Sequence, residues 1–295
     1  MFSVLNELRD RIAASPLIRS QPVQLTFRVF KEMKDDDATH LAAGVAYYAI
    51  FSLFPLLLGF LAISGIVLNS PELQREFLNF VADNLPGSES FVVGNVGEIV
   101  RFRGALGLAA IVGLFWAASA VFGAIARAVN RAWDIQRDRP FYIAKPRQIG
   151  MAFGVGFLFL LSISASSAIQ FLISQDLGIP GQEMFLDVGY LHLAWRAIPW
   201  VMSFSIFLLI YRFLPNCKTY WRYVWLGAAI SAGLFEVGKN LFVWYLGSFA
   251  NYDQVYGPVA SVMIFLLWAY LSSLVLILGA EISSEYERMR HSQET

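Results

Sequence analysis

The chain alternates long apolar runs with short polar connections. Runs long enough to cross a hydrocarbon core of ~30 Å, about 20 residues each, fall near residues 42–68, 104–126, 149–174, 198–214, 224–247 and 258–280. Polar or charged residues interrupt the pattern between every pair, so six helices are predicted, the fourth of them the shortest. No strand-like alternation, low-complexity tract or flexible linker breaks the series. The expected fold is therefore all-α: one integral membrane bundle across residues 42–280, preceded by a polar segment 1–41 and followed by a tail 281–295. Shorter stretches repeat apolar residues at helical spacing without being long enough to span. Val4, Leu5, Leu8 and Ile12 form one such set, and Phe27, Phe30 and Met33 form another beside Arg28, Lys31 and Lys34. These predict amphipathic helices on the membrane face or beneath the bundle. Stripes through Leu73, Phe77, Val81 and Leu85 and through Val92, Val96, Ile99 and Val100, parted by Pro86 and Gly87, predict a helical hairpin or cap over 71–102 on the exterior side.

Composition strengthens the membrane reading. Hydrophobic residues make up 57% of the 295, charged residues 15%, and mean hydropathy is +0.55, whereas soluble domains carry about 25% charged residues. No short apolar core followed by a small-residue cleavage site precedes the first run, so that run is expected to be a retained helix. Lys plus Arg and Asp plus Glu each number 22, a balance that gives no ground for a nucleic-acid partner. Their placement is informative. Residues 1–41 and 127–148 hold six basic residues each, 212–223 three and the segment after 280 two, while the intervening connections hold only Arg75, Arg101, Arg103 and Arg196. The positive-inside rule then puts both termini in the cytoplasm. Cys217 is the single cysteine, and no Cys or His grouping has metal-ligand spacing, so neither a metal nor a cofactor is expected.

Against this background the stretch GLFEVGKNLFVWYLG, 233–247, is anomalous. Glu236, Lys239 and Asn240 lie three and four residues apart on one helical face, and Glu236 falls roughly 18 Å into the fifth span at 1.5 Å per residue. A charge at that depth costs about 2.5–3.5 kcal/mol on insertion scales. Intrahelical pairing of Glu236 with Lys239 reduces the cost, and two readings follow: a polar cluster holding helices together, or part of a substrate pathway. In the first span, Tyr47 and Tyr48 lie deeper than an interfacial belt, so at least one hydroxyl is expected to need a partner. Pro55 removes a backbone donor, leaving the Phe51 carbonyl for Ser52 to help satisfy, and a kink is predicted. Asn251, Tyr252, Asp253 and Tyr256 occupy a short exterior loop, either a gate or a tight hydrogen-bonded turn. Glu281, at the cytoplasmic exit of the last span, is expected to cap basic groups of the 127–148 loop.

Three blocks, AAGVAYYAIFSLFPLLL, NRAWDIQRDRP and the long segment from FEVGKNLFVWYLG to LILGAEI, resemble the YihY/BrkB family of bacterial inner-membrane proteins. The resemblance covers nearly the whole chain and implies six transmembrane helices and a plasma-membrane location. Its members are described as virulence or serum-resistance factors and as candidate transporters, and an older family label is ribonuclease BN. Ribonuclease chemistry needs a His/carboxylate metal site or an acid/base pair in a basic groove. His40, His192 and His291 are too dispersed to converge, and the positive-inside rule already explains the basic 127–148 loop. The chain is thus expected to be no enzyme. The leading expectation is a transporter or exporter-like protein for an amphipathic or lipid-like envelope component, with Glu236, Lys239, Asn240, Tyr47, Tyr48, Ser52 and Pro55 along the pathway. The alternative is a non-transporting scaffold. Its expected partners are the lipid bilayer and, at Arg127, Arg131, Arg137 and Arg139, anionic headgroups; the sequence sets no oligomeric state.

Overall fold

The computed structural model describes residues 21–67, 107–137, 139–174, 190–249 and 259–294. Their regular structure is helical: α1 (Gln21–Asp35), α2 (Ala38–Val67), α3 (Gly107–Ala132), α4 (Phe141–Ser174), α5 (Tyr190–Phe213), α6 (Trp221–Phe249) and α7 (Ala260–Glu294). Helices α2 to α7 fall on the six apolar runs, and several continue beyond them. α4 begins in the basic connection at Phe141, and α7 carries on through the segment expected as a tail, with residues 281–285 buried. α2 stays helical through Pro55. Among the described residues, Trp221–Ser248 and Ala260–His291 are long and apolar enough to cross a membrane by length and composition. The proposed exterior cap 71–102, the loop 251–256 and the Val4–Ile12 stripe lie outside the described residues.

Neighbouring helices pack in chain order, and α7 returns to α2, so α2–α3–α4–α5–α6–α7 closes into a ring; α7 also touches α1 and α3. The α2–α3 contact is built from small side chains. Ala42 and Val45 meet Ala124, Ala128, Val129 and Ala132, all buried, which lets the two backbones approach closely. The α6–α7 crossing is closer still. A Cβ placed on Gly227 would run into the Gly279 carbonyl and the Ser283 hydroxyl, and one on Gly279 would strike the Ser231 and Tyr211 hydroxyls and stand 2.9 Å from the Gly227 carbonyl. Fully buried Tyr211 of α5 fills the notch beside this crossing. Its hydroxyl donates to the Leu276 carbonyl at 2.8 Å and lies 2.9 Å from Ser231 Oγ, while Ser231 reaches the Val275 carbonyl at 3.2 Å. Three helices are thereby locked at one point, without an unsatisfied phenol in an apolar core.

Outward faces are apolar. Ile230, Leu234, Val237, Leu241 and Trp244 form an exposed stripe along α6, and Phe153, Phe157 and Leu161 do the same on α4. Water would make such stripes unfavourable; acyl chains would not. α1 turns Val29 and Met33 toward the bundle and leaves Phe27 and Phe30 exposed, the arrangement of a helix lying at an interface. The basic segments meet at one end of the ring: Asp36 pairs with Arg131, Trp133 donates to Glu287, Arg139 donates to the Pro215 carbonyl, and Tyr223 contacts His291.

Gly279→Ala should lower the unfolding midpoint in detergent, because overpacking costs about 1–3 kcal/mol and here part of what is struck is backbone. Gly233→Ala, whose Cβ would meet nothing within 4 Å, should be neutral or slightly stabilising. Equal midpoints for the two variants would remove the close crossing from the account.

Candidate functional site

Glu236 and Lys239 pair within α6 at 2.8 Å, with side chains 20% and 14% accessible. Helical spacing alone brings them together. The second partner comes from another helix: Ser203 Oγ of α5 donates to Glu236 Oε1 at 3.0 Å. Asn240 does not join the carboxylate; its Nδ2 donates to the Glu236 backbone carbonyl at 2.7 Å, one turn back. The arrangement is a nearly satisfied ion pair, bridged between two helices and open to a small degree.

The first-span residues behave differently from expectation. Tyr47 and Tyr48 are exposed, their rings edge-on at 5.7 Å, and no hydrogen bond to either hydroxyl occurs among the described residues. Tyr48 instead offers its ring to the Arg127 guanidinium, 5.7 Å from the ring centre. Ser52 is buried, but its hydroxyl bonds the Ala49 carbonyl at 2.8 Å rather than that of Phe51. Back-bonding within one turn is geometrically easier for a serine in a helix. The Pro55 side chain and the residues Asn251, Tyr252, Asp253 and Tyr256 lie outside the described residues.

The four arginines proposed for headgroup binding divide. Arg127 and Arg139 line one cavity of about 210 Å³, together with Arg147, Asn130, Gln148 and Asn216. α3 supplies Arg127 and Asn130, and the start of α4 supplies Arg147 and Gln148. The α5–α6 turn supplies Asn216, whose backbone N–H donates to Asn130 Oδ1 at 2.9 Å. The lining holds three guanidiniums and no carboxylate among the described residues; Asp138, beside Arg139 in sequence, is not among them. Burial lowers the pKa of Arg139, with a smaller opposing effect from Cys217. A bound anion would offset that cost of burying positive charge. Arg131 points elsewhere, pairing through Nε with Asp36 Oδ1 at 3.0 Å. Arg137 contributes its backbone carbonyl, which accepts from Asn216 Nδ2 at 3.2 Å. Arg147 is one basic residue among six in the 127–148 block, and only the geometry of the α4 start brings it to the same cavity as Arg127. Glu281 does not cap the 127–148 loop. Its strongest electrostatic neighbours are the carboxylates of Asp36 and Glu32, since α7 packs against α1 at that level.

A ring of long helices with apolar outer faces and its ionisable groups gathered at one end defines an integral membrane protein of the helical-bundle class. The chain belongs to the virulence factor BrkB family, whose pattern matches residues 29–295. It is accordingly a protein of the bacterial inner membrane, surrounded by lipid. A UPF0761 membrane protein of Mannheimia succiniciproducens is 29% identical, the alignment covering 91% of each chain. A UPF0761 membrane protein of Aliivibrio salmonicida is 31% identical over 88% of this chain and 82% of its own. YfkH of Bacillus subtilis, whose name carries the term ribonuclease-like, is 28% identical over 82% of this chain and 88% of its own. The family description names a virulence factor, not a class of enzyme. No solved structure matches the chain.

Lys239→Met should destabilise by an amount toward the low end of the roughly 3–5 kcal/mol seen when one partner of a buried pair is removed, given partial accessibility. The double variant Glu236→Gln/Lys239→Met should recover most of that loss. A double-mutant cycle of unfolding midpoints measures the coupling; strictly additive effects would mean that the pair contributes nothing.

Proposed function

We propose that this protein is a transporter or exporter-like protein that handles an amphipathic substrate with an anionic headgroup, a lipid-like component of the envelope. The observation that carries this reading is the cavity lined by Arg127, Arg139 and Arg147 with amide side chains around it. Guanidiniums grip phosphate or carboxylate in a planar fork, and Asn or Gln amides donate to the remaining oxygens. Phe141 and Tyr142, exposed at the start of α4 beside the cavity, suit the headgroup level of a bilayer, where an acyl tail could remain in lipid while the head is held.

The proposed topology is six spans with both termini in the cytoplasm. It is supported by the meeting of the described segments 21–41, 127–137, 139–148, 212–223 and 281–294 at one end, since helices that return to the same end cross an even number of times. The cavity then opens at the cytoplasmic foot. The Glu236–Lys239 pair lies about 22 Å from the start of α6 at 1.5 Å per residue, deep enough to offer a zwitterionic or charged headgroup a station along its path. Alternating access would break the Ser203 bond and free the pair.

A second reading, a scaffold without transport, draws on the same Ser203–Glu236 bond. A carboxylate satisfied from its own helix and from α5 is what polar glue between spans requires.

The readings separate on purified protein in liposomes containing fluorescent phosphatidylglycerol or phosphatidylcholine. Transport predicts protein-dependent transbilayer movement that is faster for phosphatidylglycerol. Arg127→Gln/Arg147→Gln should abolish that preference, and Glu236→Gln/Lys239→Met should reduce movement of both lipids with insertion and fold retained. Unchanged movement in all variants, or none with wild-type protein, favours the scaffold.

A further inference from the structure

A group of carboxylates at the foot of the bundle is used neither by the basic cavity nor by the Glu236 pair. Glu32 on α1, Asp36 just after it and Asp134 at the end of α3 each present an oxygen, and these oxygens lie within 4.8 Å of one another. Calcium takes oxygens at about 2.3–2.6 Å, and magnesium at about 2.0–2.1 Å. One ion placed between the three carboxylates can therefore reach all of them with little or no movement.

Acidic groups often gather without a ligand when cations neutralise them, so the neighbouring charges decide. Arg131 holds Asp36, Arg288 holds Asp134 and Glu285, and Arg28 stands 3.7 Å from Glu285. Asp36 and Asp134 each give one of their two oxygens to these contacts, whereas both oxygens of Glu285 are engaged. Behind the cluster Glu281 adds a further acid. It is 1% exposed, its Oε1 has no hydrogen-bond partner among the described residues, and its largest electrostatic interactions are repulsive ones with Asp36 and Glu32. Five carboxylates, of Glu32, Asp36, Asp134, Glu281 and Glu285, thus face three guanidiniums, of Arg28, Arg131 and Arg288. A buried carboxylate oxygen without a donor is unfavourable unless a proton or a cation satisfies it.

Backbone geometry places the third ligand. Asp134 has φ 54° and follows α3, with its N–H bonded to the Arg131 carbonyl at 2.9 Å and the next N–H, of Ile135, bonded to the Asn130 carbonyl at 2.9 Å. This is a Schellman turn, whose left-handed position favours glycine. An aspartate there projects its carboxylate back across the helix end toward α1. Its side chain is 64% accessible, which gives an ion a route in from solvent.

We propose that Glu32, Asp36 and Asp134, backed by Glu281, form a binding site for a hard divalent cation of the Mg2+, Mn2+ or Ca2+ kind. All the donors are carboxylate oxygens, which select such ions over softer metals. The bound ion ties α1 to the end of α3 against α7, so occupancy governs how firmly the N-terminal helix is held to the membrane domain.

The test uses full-length protein in detergent, depleted of metal and titrated with Mn2+ followed by electron paramagnetic resonance, with Mg2+ and Ca2+ as competitors. Saturable binding of one Mn2+ per chain and an ion-dependent rise in the unfolding midpoint are expected. Glu32→Gln and Asp134→Asn should each weaken binding by about tenfold or more and abolish the rise, while Gly233→Ala leaves both unchanged. Asn tolerates the left-handed backbone, and Asp134→Gly, better suited still to that turn, serves as a second variant that retains the fold. Absence of saturable Mn2+ binding by wild-type protein in the millimolar range overturns the site. So does binding that survives both ligand substitutions, because the ion would then sit elsewhere.

Discussion

The structure depends on how closely α6 and α7 cross. With glycine on both sides at positions 227 and 279, the two backbones touch through Ser231, Ser283 and the Tyr211 hydroxyl rather than through bulky side chains. Apolar side chains gain nothing by leaving lipid for one another, so dispersion at short range and interhelical hydrogen bonds must supply the attraction. Placing all of these at one locus gives α5, α6 and α7 a common reference point. Ser203 on α5 finds Glu236 on α6 because the two helices are pinned near Tyr211, and the acid-bearing end of α7 reaches α1 and α3 because α7 is held at Gly279.

Charge is sorted along the molecule's axis. Among the described residues the outward stripes on α4 and α6 carry no ionisable group, the interior holds one short ion pair, and the foot carries both a basic cavity and an acidic cluster. These last two share the end of α3: Arg127 and Asn130 face the cavity, whereas Arg131 and Asp134 turn to the acids. Burial pushes the Asp36 carboxyl above the usual range, Arg131 opposes this, and Asp134 and Glu32 reinforce it. One helix terminus therefore separates opposite fields across little more than its own width.

Much of this was legible in the sequence. Apolar runs of about 20 residues located every long helix among the described residues, because sustained hydropathy over that length is a strong signal. The Glu236–Lys239 pair was legible too, since spacing on a helix fixes it. What the sequence withheld was whatever depends on how helices dock. Ser203 lies 33 residues from Glu236, and a single serine in an apolar run carries no pattern. Arg131 resembles its neighbours in a basic loop, and only the position of α1 turns it toward Asp36 and away from the basic cavity. α4 and α7 run on past their apolar runs because their ends are polar: helix propensity continues after the hydropathy signal stops.

That continuation matters for α7. A helix of 35 residues is about 52 Å long, well beyond the thickness of a hydrocarbon core. Its last four turns form a rigid mast braced by Trp133, Asp134 and Arg28. Whatever docks on this mast, or pulls it away from its braces, is mechanically connected to the Gly227–Gly279 crossing with no joint in between.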